Sequence, residues 1–347
     1  MRQKVTTKHV LIIFAIQMIL SVLFGVVIVL LKNPELSVLL NYALSQLSII
    51  IAILFIVQLN RLDFFDAVPL KRKINIPMLL LMPIVAVALI AQNTLLMSAF
   101  VLLMDKFNIT LNVPLPDMSK GPVVAIFSVI IIGILPSIVE EVFFRGVVLS
   151  PLKNKGKVYA ILVSSLIFSL AHMNLAQLVH QFIVGIVLAY IVLESDNIWY
   201  AVVVHLTNNI IALFISNFTW YENLADMSKS SIISMVIMMV VGCVVLVGVL
   251  VAFEYLNKKF KKPSSSDAEA DKDTLEKITR FDASEEYKEV VYTGTGEENI
   301  EEENRIIDKA LENLKKKPGK LVDIYVLSIC LFLAIMTVIT TIASLYL

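Results

Sequence analysis

The sequence predicts an all-α polytopic membrane protein, built from an eight-helix core and one additional C-terminal transmembrane helix. Of its 347 residues, 58% are apolar and 17% are charged, whereas soluble domains carry about 25% charged residues. Apolar runs of about 18 residues or more recur along the chain, and each is long enough to cross about 30 Å of hydrocarbon as a helix. Basic residues concentrate in alternate connections between these runs, as expected of a chain that crosses a membrane repeatedly.

Nine segments are predicted to span the membrane. Because backbone groups in lipid must be hydrogen bonded within the protein, each segment is expected to be a helix. The alternating ten-residue pattern of a membrane barrel does not occur. The first segment has no cleavage site of small residues and is interpreted as a retained helix rather than a signal peptide. The predicted spans are 9–31, 37–59, 77–104, 122–149, 157–173, 176–194, 197–216, 231–256 and 321–346.

The positive-inside rule predicts a cytoplasmic N-terminus and a C-terminus outside the cell. Connections predicted to lie inside contain clusters of basic residues, and those predicted to lie outside contain only scattered single lysines: Lys32, Lys106, Lys120 and Lys229. Low glycine content and high isoleucine, lysine and asparagine content favour a bacterial plasma membrane. The net charge of zero gives no information about nucleic acid, but no basic domain is present, so a nucleic-acid partner is not expected.

The chain divides into three predicted parts. Residues 1–256 form the eight-helix transmembrane body, residues 257–320 form a cytoplasmic, polar and acid-rich insert, and residues 321–347 form the ninth transmembrane helix. The insert is predicted to be mostly disordered and is a candidate binding site for a protein partner. Cys243 and Cys330 each lie in an apolar run without metal-ligand spacing, which favours a packing role.

Two adjacent glutamates and an arginine lie in the fourth predicted span. A charged side chain in the middle of a bilayer costs about 2.5–3.5 kcal/mol on insertion scales, so such residues indicate a functional site. On a helix, Glu141 and Arg145 are four residues apart and share a face, so they can neutralise each other. Glu140 points about 100° away and remains available for acid–base chemistry. The alternative is that both glutamates are structural counter-ions of Arg145.

Two further polar pairs lie in the fifth and seventh spans. Phe168 and His172 share one helix face, so the phenyl ring is expected to pack beside the imidazole. His205 and Asn209 also share a face, and both can donate hydrogen bonds to a developing oxyanion. At 1.5 Å per residue, Glu140, His172 and His205 can occupy one layer of the bilayer. Taken singly, the histidines and asparagine also fit packing and interhelical hydrogen bonding.

The ordered set Glu140-Glu141-x-x-x-Arg145, Phe168-x-x-x-His172 and His205-x-x-x-Asn209 resembles the CAAX protease and bacteriocin-processing (CPBP, Abi) family. This family includes the type II CAAX prenyl endopeptidases. The stretch from Phe182 to Ala189 and the position of Trp199 are similar to the same family, although Ala189 stands where glycine is common. The resemblance covers roughly residues 120–215.

The resemblance implies an intramembrane endopeptidase with a chamber enclosed by membrane helices. Its substrate would be a membrane-associated peptide or protein, hydrophobic or prenylated. We favour a metal-free mechanism and expect no cofactor. The resemblance further implies that Glu140 and His172 activate water and that His205 and Asn209 stabilise the oxyanion. Glu141, Arg145 and Phe168 would support the site.

Three alternatives stay open. A zinc-dependent protease could use Glu140, Glu141, His172 and His205 as ligands, although the usual HExxH helix is absent. A non-catalytic bacteriocin-immunity or scaffold protein would use the insert and the ninth helix for partner binding. A transporter could relay protons through buried acids, histidines and the polar residues Gln92, Asn93 and His180, but paired inverted halves are absent.

Overall fold

The computed structural model describes residues 3–30, 34–70, 72–111, 113–217 and 229–260. Within these ranges there is no β-strand, only an isolated bridge between Gln3 and Leu62, and seven helices are long and apolar enough to cross a membrane. The predicted all-α, polytopic membrane fold is confirmed. The predicted ninth helix and residues 261–320 of the predicted insert lie outside the described residues.

The observed helices begin and end within a few residues of the predicted spans. The last of them continues to Phe260, past the predicted boundary at residue 256. The described residues form nine helices: α1 (Thr7–Leu30), α2 (Pro34–Leu59), α3 (Phe64–Ala67), α4 (Ile76–Asp105), α5 (Pro122–Lys155), α6 (Lys157–Ala171), α7 (Leu175–Ser195), α8 (Ile198–Ser216) and α9 (Lys229–Phe260).

Helix α5, predicted as a regular span over 122–149, is longer and irregular. Two π-helical segments, Val129–Ile134 and Val142–Val148, lie on either side of the α-helical segment Leu135–Glu141. Pro136 has no N–H group, so the carbonyl of Ile132 loses its usual α-helical donor. Because π-helical turns inside helices occur frequently at functional sites, this irregularity marks the segment that carries both glutamates.

Helix α6, predicted as a span over 157–173, is only 15 residues long. At 1.5 Å per residue it covers about 22 Å, which is less than the thickness of the hydrocarbon core. It ends before His172 because Met173 adopts a positive φ of 48° and Asn174 caps the start of α7. The residues that follow its end, His172, Met173 and Asn174, line a cavity together with Glu140.

Close packing holds α6 against α7 at Gly185. A Cβ atom on Gly185 would lie 3.0 Å from the Cα atom of Ser165 and 3.3 Å from the ring of Phe168. Glycine therefore allows the two backbones to approach. Four phenylalanine rings then connect α1, α5 and α6, with successive centroids 5.0, 4.9 and 5.0 Å apart: Phe14, Phe143, Phe144 and Phe168.

The basic connections that were predicted to lie on one side of the membrane meet at one end of the bundle. Arg72 forms an ion pair with Asp196 at 2.5 Å, and Lys157 pairs with Glu194. Asn257 of α9 donates a hydrogen bond to the carbonyl of Glu194. Their common location agrees with the predicted alternation of sides, and the cytoplasmic placement of this end stays a prediction.

Candidate active site

Glu140 lies between the two predicted histidines. Its Oε2 atom is 3.8 Å from Nε2 of His172 and 3.9 Å from Nε2 of His205. The convergence of α5, α6 and α8 that the sequence predicted is therefore confirmed. Both separations exceed hydrogen-bond length, and a water molecule beside Oε2 can contact the carboxylate and an imidazole.

The two oxygens of Glu140 have different surroundings. Oε1 accepts a hydrogen bond of 2.8 Å from Nε2 of Gln46, whereas Oε2 has no hydrogen-bond partner among the described residues. The glutamate is 9% exposed and Gln46 is 3% exposed, so the bond is shielded from solvent. The amide of Gln46 therefore fixes one oxygen and leaves the other directed at the histidines.

His172 presents a defined nitrogen to Glu140. Its Nδ1 atom lies 2.8 Å from the carbonyl oxygen of Phe168, and because a carbonyl only accepts, Nδ1–H is the donor. In the neutral ring Nε2 then carries the lone pair and faces Glu140. The predicted packing of Phe168 beside the imidazole is confirmed, with centroids 4.9 Å apart and planes at 86°.

Glu141 joins His205 to Arg145. Its Oε1 atom lies 2.8 Å from Nδ1 of His205 and 3.0 Å from a terminal nitrogen of Arg145. The predicted Glu141–Arg145 pair is therefore confirmed as an ion pair, although its alignment is too poor for a hydrogen bond. The guanidinium also lies 4.1 Å above the ring of Phe168, which stabilises a buried cation. The contact between Glu141 and His205 was not predicted.

Asn209 links α8 to the irregular part of α5. Its Nδ2 atom donates a hydrogen bond of 3.2 Å to the carbonyl of Ile132, the group that Pro136 deprives of its normal donor. An amide NH₂ group has two protons, so this bond uses one and leaves the other. Asn209 thus has a structural contact in addition to its predicted place beside the site.

A chamber of about 350 Å³ lies beside Glu140, His172, His205 and Asn209. This volume lies within the range of about 300–1,000 Å³ found for ligand pockets. A second cavity of about 240 Å³ lies on the α1 side and also reaches Gln46, Glu140 and His172. The larger one, called the chamber below, is lined by Gln46, Glu140, His172, His180, His205 and Asn209 among others.

A comparison with protein-family models gives a match. The family model described as type II CAAX prenyl endopeptidase Rce1-like matches residues 122–211. Residues 122–211, called the Rce1-like segment below, are similar to this family. No curated protein and no solved structure matches the chain. The resemblance predicted from the sequence is confirmed, and the match supports a membrane-embedded protease.

The Rce1-like segment contains every site residue that the sequence predicted, from Glu140 to Asn209. Gln46 lies outside it, on α2, and was not predicted. The available signal was a group of polar residues at helical spacing in an otherwise apolar span, formed by Asn41, Tyr42, Ser45 and Gln46. Such a group indicates a helix face that contacts other polar groups, but it does not identify the partner.

His180 lies within the Rce1-like segment and has no predicted catalytic role. Its Nδ1 atom accepts a hydrogen bond of 3.1 Å from Nδ2 of Asn93 on α4. The ring also lines the chamber. His180 therefore combines a packing contact with a position in the chamber wall.

The positions of the four predicted zinc ligands bear on the zinc-dependent alternative. In the described part of the chain, no group of three or more His, Cys, Asp or Glu side chains has the arrangement of a metal site. Glu141 contacts His205 and Arg145, so it does not fit the ligand role. Glu140, His172 and His205 remain as potential donors, and their nearest atoms are 3.8 and 3.9 Å apart, wider than the roughly 3.4 Å of tetrahedral zinc ligands.

Proposed function

We propose that the protein is an intramembrane endopeptidase that hydrolyses a peptide bond of a membrane-associated substrate, hydrophobic or prenylated. The observation that carries this proposal is the position of Glu140 Oε2, which has no hydrogen-bond partner among the described residues and lies within 3.9 Å of two imidazole nitrogens. A carboxylate beside an unprotonated imidazole nitrogen is a suitable base for water. The Rce1-like match of the same segment supports the assignment.

In the first step, a water molecule between Glu140 and His172 gives a proton to Glu140 Oε2. The water oxygen attacks the scissile carbonyl carbon and forms a tetrahedral intermediate with a negative oxygen. The C–N bond then breaks, and the proton passes from Glu140 to the departing nitrogen. His172 orients the water through Nε2, since its Nδ1–H donates to the carbonyl of Phe168.

His205 and Asn209 stabilise the negative oxygen of the intermediate. Since Nδ1–H of His205 donates to Glu141, the ring donates to the oxyanion from Nε2 as the imidazolium. Asn209 contributes the amide proton that does not bind Ile132. Preorganised donors of this kind each contribute roughly 100- to 1,000-fold to rate.

Four residues, Gln46, Glu141, Arg145 and Phe168, hold these groups in place. Gln46 fixes Oε1 of Glu140, and Arg145 neutralises Glu141 while it stacks on Phe168.

The protein is embedded in the plasma membrane of a bacterial cell, with its N-terminus in the cytoplasm. We propose this orientation from the distribution of basic residues.

The test uses the purified full-length protein in lipid nanodiscs. A hydrophobic fluorogenic peptide and a farnesylated CAAX-type peptide serve as probes, and cleavage is followed by fluorescence and product mass. Glu140→Gln and His172→Ala are expected to lose at least 100-fold in kcat. Glu254→Gln, a matched change on α9 at a residue that pairs with Lys258, is expected to retain full activity. Undiminished cleavage by both site variants would contradict the proposal and favour a binding role.

A further inference from the structure

Three amide side chains in the wall of the chamber have unused acceptors. Gln46, Gln181 and Asn208 come from α2, α7 and α8 and are 3%, 8% and 3% exposed. All three line the chamber. The side-chain carbonyl oxygen of each is buried and receives no hydrogen bond of good geometry from the described residues, although His180 lies beside the Asn208 amide. Because an unpaired buried acceptor is unfavourable, a ligand that brings hydrogen-bond donors would be stabilised here.

The contact with Glu140 determines which way the Gln46 amide group is oriented. An ionised carboxylate only accepts hydrogen bonds, so the NH₂ group of Gln46 must face Oε1 of Glu140. Its carbonyl oxygen therefore faces away from Glu140. Asn208 is adjacent in sequence to Asn209, and Gln181 to His180. All three residues line the same chamber as Glu140 and His172.

A peptide that enters a membrane chamber needs acceptors for its main-chain N–H groups. An N–H group without a partner is strongly unfavourable away from water. Extended peptides are often bound at the edge of a β-sheet, but the described residues contain no strand, and the helix backbones satisfy their own hydrogen bonds. Side-chain amides are therefore the groups that can pair with a peptide main chain.

Other parts of the chamber wall suit a hydrophobic peptide. Apolar side chains complete its lining, including Met97, Val113, Leu115 and Leu213. Apolar substrate side chains can contact these residues while the main chain faces the amides. The combination of isolated acceptors and apolar surface is complementary to an extended hydrophobic segment, in which N–H donors recur at every residue.

We propose that the amide oxygens of Gln46, Gln181 and Asn208 form a main-chain binding site, which accepts hydrogen bonds from substrate N–H groups beside the scissile bond. This inference rests on the proposed endopeptidase function and identifies residues of the same chamber that hold the substrate. It assigns recognition to the peptide main chain rather than to particular side chains. The substrate class is accordingly an extended, hydrophobic peptide segment of variable sequence.

The test replaces single substrate amides with esters, which removes one N–H donor at a time. A cleavable fluorogenic peptide is prepared with an ester at each of three positions on either side of the scissile bond. In the wild-type protein, at least one ester is expected to lower kcat/KM by about 3- to 10-fold. Gln181→Met and Asn208→Leu are each expected to lower kcat/KM for the all-amide peptide to a similar extent. In each variant, the ester that replaces the N–H group bound by the mutated residue should no longer lower kcat/KM.

Gln92→Met is the matched control. Gln92 on α4 also has a buried side-chain oxygen without a partner among the described residues, but it does not line the chamber. This variant is expected to keep both the wild-type rate and the full ester penalties. Thermal unfolding midpoints of all variants are measured in parallel. A loss of folded protein would lower the overall rate, but the remaining folded protein would still show the effect of each ester on kcat/KM.

The outcomes separate the two proposals. If the all-amide peptide is cleaved but no ester lowers kcat/KM in the wild type, the main-chain site is wrong and the endopeptidase function stands. Equal ester penalties in the wild type, Gln181→Met and Asn208→Leu would also overturn the site. If Glu140→Gln cleaves the all-amide peptide as well as the wild type does, the proposed function fails, and the main-chain site fails with it.

Discussion

The amide of Gln46 donates a 2.8 Å hydrogen bond to Oε1 of Glu140, which joins helix α2 to the helix that carries the paired glutamates. Gln46 lies outside the Rce1-like segment of residues 122–211. The geometry of the candidate base therefore depends on a helix that the family match does not include. A variant of α2 can test the arrangement of Glu140 without any change to the matched residues.

Replacement of Gln46 by leucine is expected to lower kcat/KM by roughly 10- to 100-fold, because hydrogen bonds to charged groups contribute about 1.5–3 kcal/mol. The infrared carboxylate band of Glu140, assigned by subtraction of the Glu140→Gln spectrum, is expected to shift in the same variant. Gln92→Leu, a matched change on α4, should alter neither. An unchanged carboxylate band in Gln46→Leu would show that the bond does not position Glu140.

Glu141 and Arg145 form a fully buried ion pair, with exposed fractions of 0% and 1%. Removal of one partner leaves an uncompensated buried charge, so Glu141→Gln and Arg145→Met are each expected to destabilise the fold by about 3–5 kcal/mol. The double variant removes both charges and should recover most of that stability without recovering activity, because His205 still lacks its carboxylate. Thermal unfolding in nanodiscs measures the coupling. Additive destabilisation in the double variant would contradict the pairing.

Asn209 is expected to affect rate more than stability. Asn209→Ala removes the amide donor to the oxyanion and should lower kcat by roughly 100- to 1,000-fold, with a small change in KM. Asn60→Ala is the matched control, since Asn60 Nδ2 also donates a 3.2 Å hydrogen bond to a helix carbonyl, that of Ile56, near the end of α2. If Asn60→Ala and Asn209→Ala lowered kcat equally, the role of Asn209 would be structural.

Activity is expected to survive metal removal. In the proposed mechanism, a water molecule occupies the space between Glu140 and the two imidazoles, and Glu141 binds His205 and Arg145 instead of a metal. Exhaustive treatment with a zinc chelator should therefore leave kcat unchanged, with metal content measured by mass spectrometry. Loss of activity that added zinc restores would establish the zinc-dependent alternative.

The helices and the convergence of the site were predictable from the sequence for physical reasons. Charged residues are costly in a bilayer, so the presence of Glu140, Glu141 and Arg145 within one apolar run indicates a polar interior. The helical repeat then pairs Glu141 with Arg145, and Phe168 with His172. Both contacts are present in the structure.

The remaining features depend on contacts between distant helices. Gln46 meets Glu140 across 94 residues of sequence, and Glu141 meets His205 across 64, distances over which helical spacing carries no information. The π-helical turns of α5 follow from competition among hydrogen bonds in three dimensions. Pro136 is visible in the sequence, but its consequence for Ile132 and Asn209 depends on the position of α8.

The central claim is that water, activated by Glu140, attacks the scissile carbonyl. The most direct measurement is a single turnover in ¹⁸O-labelled water, followed by mass spectrometry of the product and of the enzyme peptide that contains Glu140. One ¹⁸O atom is predicted in the new C-terminal carboxylate and none in the side chain of Glu140. Incorporation of ¹⁸O into Glu140, which would indicate direct attack by the carboxylate, would contradict the claim.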